Sequence, residues 1–219
     1  MQSWRNAFQK QLSATVDVYG VTLARFLFGL PFAMLYITWL YYQQDIPVKV
    51  QFTDRFWLYV VIAGSSQILA TILMVLLFKQ KNYAVGVGLA KSEAILAALI
   101  GVMLLQEHLT LLGWAGVAIG GAAVFLLSKG GQLQQLSLPT LAIGIGSGLS
   151  FAITSLLVRE ASLELTHLPF LHRAAWVLLC VIAFQCITML LYLLIFSRKT
   201  LQAMWRRIGL TFRVSICRD

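Results

Sequence analysis

The sequence predicts an all-α integral membrane protein, a polytopic helix bundle, and composition, span length and patterning each point there. Of its 219 residues 59% are hydrophobic and 11% charged, against about 25% charged in an average soluble domain. Apolar runs of about 20 residues, enough to cross a bilayer as a helix, recur between polar turns. The short alternating segments of a membrane barrel are missing.

Six spans follow in order: Tyr19–Tyr42, Phe56–Phe78, Tyr83–Leu105, Leu111–Leu127, Leu141–Val158 and Ala174–Phe196. Trp39, Tyr41 and Tyr42 close the first and Phe56, Trp57 and Tyr59 open the second, bracketing one loop as an interfacial aromatic belt does. The third carries Lys91 and Glu93 near its middle. A charge at the centre of a membrane helix costs roughly 2.5 to 3.5 kcal/mol, so these two groups are expected to be used or paired. Two residues apart, they point about 200° away from each other, and each needs its own partner. Thr110 is placed to cap the fourth span, and Glu107 and His108 belong to the same structural turn. Gly116-x-x-x-Gly120 in the fourth span and Gly144-x-x-x-Gly148 in the fifth supply small faces for close helix approach. Cys180 and Cys186 read as small core residues of the sixth. Short connections make consecutive spans antiparallel neighbours, without a separate soluble domain.

The net charge of +9 does not indicate nucleic acid, because six of the seventeen Lys and Arg lie in the last 22 residues and most others flank spans. No C-x-x-C or His/Cys spacing marks a metal, cofactor or disulfide site, and His167 and His172 are read as loop residues without metal-ligand partners. The first eighteen residues lack the continuous apolar stretch of a cleavable signal. Enzyme motifs (G-x-S-x-G, H-E-x-x-H, a carboxylate pair within the spans) are missing, so catalysis is not expected.

Two stretches share an order: helix end, basic residue, linker, Arg, long apolar span. Lys10 to Arg25 is 15 residues and Arg159 to Arg173 is 14, an offset of 148 from Arg25 to Arg173. The second-copy counterparts of Lys91 and Glu93 would then fall near 239 and 241, past residue 219. Ser3 to Leu12 reads as the last turns of a helix. The tail, residues 198–219, reads either as frameshifted sequence or as a basic juxtamembrane segment. Charge outside the spans is 11 against 4 in favour of the Met1 side, or 5 against 4 without the tail, too even to fix sidedness by the positive-inside rule.

RFLFGLPFA (Arg25 to Ala33), SQILATILM (Ser66 to Met74), the stretch from Tyr83 to Ser128 with its Lys-Ser-Glu and Gln-Glu-His-Leu-Thr, and GIGSGLSFAI (Gly144 to Ile153) together resemble the EamA-like transporters of the drug/metabolite transporter superfamily. The resemblance implies ten helices in two five-helix repeats of inverted orientation, with a substrate path between the halves near mid-membrane. On that pattern residues 1–128 form a nearly complete first repeat, with helix 1 only as a stub at 1–12, and residues 141–197 form two helices of a partial second one. Helices 8 to 10 would be missing. The expected function is a secondary transporter (permease or exporter) of small metabolites, amino-acid-like compounds or drugs in a cytoplasmic, or inner, membrane. The alternative is a non-transporting fragment, or one that works only by associating with itself or a partner chain to complete the bundle. Expected partners are the lipid bilayer and a small-molecule substrate.

Lys91 and Glu93 carry over as polar groups facing the path or its wall. Gln67 and Thr71, four apart on one helix face, offer an amide and a hydroxyl to a substrate or to a neighbouring helix. Arg5, Asn6 and Gln9 sit in the helix-1 remnant, where they line the path or mark an interfacial end. Arg25 is read as snorkelling. Ser147 and Ser150 accompany close-packed glycines and either line the path or pack. Glu93, the only carboxylate expected inside a span, is the candidate for proton coupling, since desolvation favours a neutral carboxyl and a nearby cation the charged one.

Overall fold

The computed structural model describes residues 17–43, 50–79, 93–105, 110–129, 138–198 and 200–201. Among them lie six α-helices: α1 (Val18–Gln43), α2 (Asp54–Lys79), α3 (Glu93–Leu105), α4 (Leu111–Lys129), α5 (Leu138–Glu164) and α6 (Phe170–Phe196). No strand occurs among the described residues. α1, α2, α5 and α6 are each long and apolar enough to cross a membrane.

The hydroxyls inside these apolar helices are satisfied close to home. Thr22, Thr38, Thr71 and Thr154 each donate to the carbonyl four residues earlier, at 2.8–2.9 Å. A lipid-facing or buried hydroxyl thereby avoids the desolvation cost of an unmade bond. Helix starts are capped where the sequence allows it. Thr110 accepts from the Gly113 amide at 3.2 Å. Thr53 accepts from the Phe56 amide at 3.1 Å and donates to Glu164 Oε2 at 2.9 Å, which ties the start of α2 to the end of α5.

α5 runs six residues past the expected end of its span, and α6 begins four residues before the expected start of its own. The reason is that Arg159 to Glu164, REASLE, consists of fair to good helix formers, so the helix outlasts the apolar run, and Pro169 stops the turn with φ −57° at the helix entry. His172 is consequently not a loop residue. It lies in the first turn of α6 and is 1% exposed.

α2 and α5 share the most extensive contact, followed by α1 with α6 and α3 with α5. At one end of the bundle Leu23 and Phe26 of α1 meet Ile68 of α2 and Met189 and Leu193 of α6. At the other, Phe56 and Val60 of α2 meet Ala161 and Leu165 near the end of α5 and Val177 and Val181 of α6. α3 lies outside α5, and α4 leans on α3. Gly144 and Gly148 are buried in the bundle. The close approach expected at Gly116 and Gly120 is not made, because among the described residues nothing lies within 4 Å of where their Cβ atoms would stand. The close contact falls instead at Gly64, whose missing Cβ leaves room for the Phe184 ring of α6. Outward-facing Phe32, Leu35, Ile187 and Ile195 form an apolar surface, with Trp39, Tyr42 and Trp57 exposed at one end, the pattern of a lipid-covered wall with an aromatic belt.

Gly64→Ala and Gly116→Ala make the same chemical change and the same gain in helix propensity. Only the first drives a methyl group into a ring. Thermal unfolding of the detergent-solubilised protein is expected to show Gly64→Ala less stable than Gly116→Ala by about 1–3 kcal/mol, the cost of overpacking. Equal stabilities would mean that α2 and α6 do not meet at Gly64.

Candidate functional site: a polar cavity among four helices

Near the middle of α2, Gln67 and Thr71 face the same way, as their spacing requires. Thr71 Oγ1 accepts from Arg25 Nη1 at 3.0 Å, bringing α1 to α2. Gln67 Oε1 accepts from Gln185 Nε2 at 2.6 Å, bringing α6 to the same place. Gln185 also donates to the Gly64 carbonyl at 3.5 Å, and it is fully buried. Its Oε1 has no hydrogen-bond partner among the described residues. The Arg25 guanidinium stands 5.7 Å from the centre of the Phe151 ring and 5.9 Å from that of Phe26, within the range of a cation–π contact. Arg25 therefore does not snorkel out of its span. It turns inward, because a hydroxyl and two rings are there to receive it.

These groups border a cavity of about 1100 Å³ among α1, α2, α5 and α6. Arg25, Gln67, Thr154 and Gln185 line its deeper part. Ser162, Arg159 and Arg173 line it toward the α5–α6 turn, and Phe26, Val177, Val181 and Ile182 contribute apolar wall. Ser155, also in the lining, donates to Glu93 Oε1 at 2.8 Å, so the first turn of α3 backs onto this wall. Glu93 thus has a partner on another helix, and that partner faces the cavity.

Not every expected residue reaches it. Ser147 is fully buried and donates to the Ala70 carbonyl at 3.0 Å, joining α5 to α2. Ser150 is buried, and its carbonyl accepts from Thr154 Oγ1. Neither lines the cavity, and Thr71 acts at its edge through Arg25. Lys91, Arg5, Asn6 and Gln9 lie outside the described residues. Conversely, Arg25, Gln185, Arg159 and Arg173 line the cavity although no binding role was read from the sequence. The signal for Gln185 was present, since it is the only amide in an otherwise apolar run. The arginines stood out only as markers of the repeat.

Beside the cavity, His172 presses its ring edge-on to Tyr41 with centroids 5.0 Å apart, and Trp176 Nε1 donates to the Tyr41 hydroxyl at 3.0 Å. This cluster fastens the end of α1 to the start of α6. No group of three metal-ligating side chains occurs among the described residues.

A model of the EamA-like transporter family matches residues 6–129. The chain belongs to that family. No curated protein and no solved structure matches it significantly. This EamA-like chain is a multi-pass membrane protein whose outer helix faces contact the lipid bilayer. The matched region contains α1 to α4, with Arg25, Gln67 and Glu93. The opposite wall of the cavity, from Thr154 to Gln185, comes from the helices that follow it.

The Gln67–Gln185 bond is a polar contact between helices in an apolar setting. Such contacts contribute about 0.6–1.7 kcal/mol. A double-mutant cycle with Gln67→Leu and Gln185→Leu, read by thermal unfolding in detergent, is expected to give a coupling of that size. Strict additivity would show that the two amides do not meet.

Proposed function

We propose that this EamA-like chain is a secondary transporter that moves small polar or amphipathic molecules across a cytoplasmic membrane by alternating access, with the cavity among α1, α2, α5 and α6 as its substrate path. The observation that carries this reading is the cavity itself. It is of a size to enclose a metabolite, lies near the middle of the spanning helices, and places amides, hydroxyls and guanidinium groups where lipid-facing side chains would be apolar. Its walls come from helices on both sides of the connection between α4 and α5, the arrangement that lets one group of helices rock against another around a site. No catalytic step is part of this reading.

Coupling is assigned to Glu93. Its carboxylate is held by the Ser155 hydroxyl at the cavity wall, so a proton gained or lost there changes the bonding of a residue that faces the cargo. Uptake or efflux in proteoliposomes is expected to vary with pH in the wild type and to lose that variation in Glu93→Gln. Unchanged pH dependence in the variant would remove Glu93 from the mechanism.

The path is tested separately. In a background with Cys180, Cys186 and Cys217 replaced by Ala, Val177→Cys and Ile182→Cys face the cavity, whereas Ile187→Cys and Leu191→Cys face outward. A charged, membrane-impermeant thiol reagent is expected to label the first pair and spare the second. Labelling confined to the outward pair would exclude the cavity as a water-filled path.

A further inference from the structure

Gln67 and Gln185 meet in the deeper part of the cavity lining, and each keeps one polar atom unused. The Gly64 carbonyl can only accept, so the atom of Gln185 that lies 3.5 Å from it is the amide nitrogen. That fixes the rest. Gln67 turns its Oε1 toward the same nitrogen, at 2.6 Å, and its own Nε2 is left without a bond among the described residues. Gln185 Oε1 is turned away from both acceptors and likewise has no hydrogen-bond partner among the described residues.

The two atoms are not equivalent. Gln67 is partly exposed, so water can meet its amide nitrogen when the cavity holds nothing else. Gln185 is fully buried, and a buried acceptor without a partner carries its whole desolvation penalty. Such groups are rare in folded proteins and call for a donor. The neighbouring hydroxyls of the lining do not supply one. Thr154 donates to the Ser150 and Ala63 carbonyls, and Ser155 donates to Glu93. Phe26, Val181 and Ile182 line the same cavity and suit the apolar body of a guest whose polar end reaches the amides.

We infer that the Gln67–Gln185 amide pair is the recognition point of the cavity, and that it selects molecules carrying a primary amide or a hydroxyl on an apolar body. Gln67 Nε2 donates to the oxygen of that group, and Gln185 Oε1 receives its N–H or O–H. This rests on the reading of the cavity as the substrate path, and it narrows the substrate class. An ester or ether in the same place satisfies Gln67 and leaves Gln185 Oε1 unpaired, and a site built to bond a donor rejects the analogue that lacks it.

The test uses two pairs of probes that differ by the donor: 3-phenylpropanamide against methyl 3-phenylpropanoate, and 3-phenyl-1-propanol against its methyl ether. Ligand-dependent thermal stabilisation of the detergent-solubilised full chain reports binding, and flux into proteoliposomes of the same preparation reports transport. The amide and the alcohol are expected to bind about tenfold or more tighter than their donor-free partners. Gln185→Met removes the acceptor and is expected to shrink that preference to within about twofold. Gln67→Met removes the donor that all four probes use, so it is expected to weaken all of them and leave the preference in place. A purely structural role for the two amides would move both members of each pair alike in both variants. Ile187→Ala, on the outward face of α6, is expected to leave binding within about twofold. Because the comparison within each pair is made on the unaltered chain, a variant that fails to fold does not block the test. Equal binding of the donor-free probes, which would mean that Gln185 Oε1 is met by water only, overturns the inference. So does a preference that survives Gln185→Met, or a failure of all four probes to bind. Selective binding without flux would leave the amide pair standing as a recognition point and sink the transport reading. Flux of all four probes without preference would do the reverse.

Discussion

Two hydroxyls on α5 reach across to carbonyls on α2: Ser147 to Ala70 at 3.0 Å and Thr154 to Ala63 at 3.4 Å. Seven residues apart, they lie on the same face of α5, two turns apart along the seam. Between apolar helices in a lipid environment there is little hydrophobic force to hold a particular pairing, because lipid tails are as apolar as the side chains. Small residues that allow close approach, and hydroxyls that bond across the gap, therefore decide which helices pair. Gly144 and Gly148 flank Ser147, and Ala63 and Ala70 are fully buried opposite. The rest of the bundle is arranged on this seam. α6 closes against α2 at Gly64, α1 lies along α6, and the cavity forms where the four helices diverge.

The two helix pairs are held in different ways. The α2–α5 seam has directional bonds and small side chains, whereas α1 meets α6 through larger aliphatic and aromatic groups, among them Tyr19 with Tyr192 at 5.1 Å between centroids. Contacts of the second kind are roughly proportional to area and insensitive to small sliding. Contacts of the first kind are lost when the partners shift by about an ångström. Among the described residues, Arg25 to Thr71 and Gln185 to Gln67 and Gly64 bridge the two pairs, whereas the Trp176–Tyr41 bond lies within the α1–α6 pair.

Much of this was legible in the residues, and the remainder was hidden for identifiable reasons. Polar side chains in apolar runs pointed to Gln67, Thr71 and Glu93, since the cost of desolvation makes such residues rare without a use. The same spacing argument that put Gln67 and Thr71 on one face could not say which helices that face would meet, because partner choice depends on tertiary packing. Arg25 illustrates the limit. Its sequence position, about two turns inside a span, is equally compatible with reaching outward along the lipid or inward to a hydroxyl, and Thr71 is 46 residues away. His172 was misplaced for a local reason: apolarity marks where a span ends, not where a helix does, and α6 starts a full turn before its apolar run. Gly116 and Gly120 had the right spacing for close packing, yet among the described residues nothing approaches them, since a small stripe permits an approach without causing one.

The magnitudes around Arg25 decide what kind of site the cavity can be. Holding a guanidinium at the depth of a membrane helix costs roughly 2.5–3.5 kcal/mol. A hydrogen bond to a charged group returns about 1.5–3 kcal/mol and a partly desolvated cation–π contact about 0.5–2 kcal/mol. The bond to Thr71 and the Phe151 and Phe26 rings therefore offset most of the cost from within the protein. Such an arginine is tolerated whether or not a ligand is bound. A carrier has to pass through loaded and unloaded forms without either becoming a trap. An arginine left without internal partners would make the unloaded form too costly, and one fully matched by a carboxylate of the protein would leave nothing for the cargo. Arg25 has internal partners in the Thr71 hydroxyl and the two aromatic faces, so its unloaded form is not the costly one.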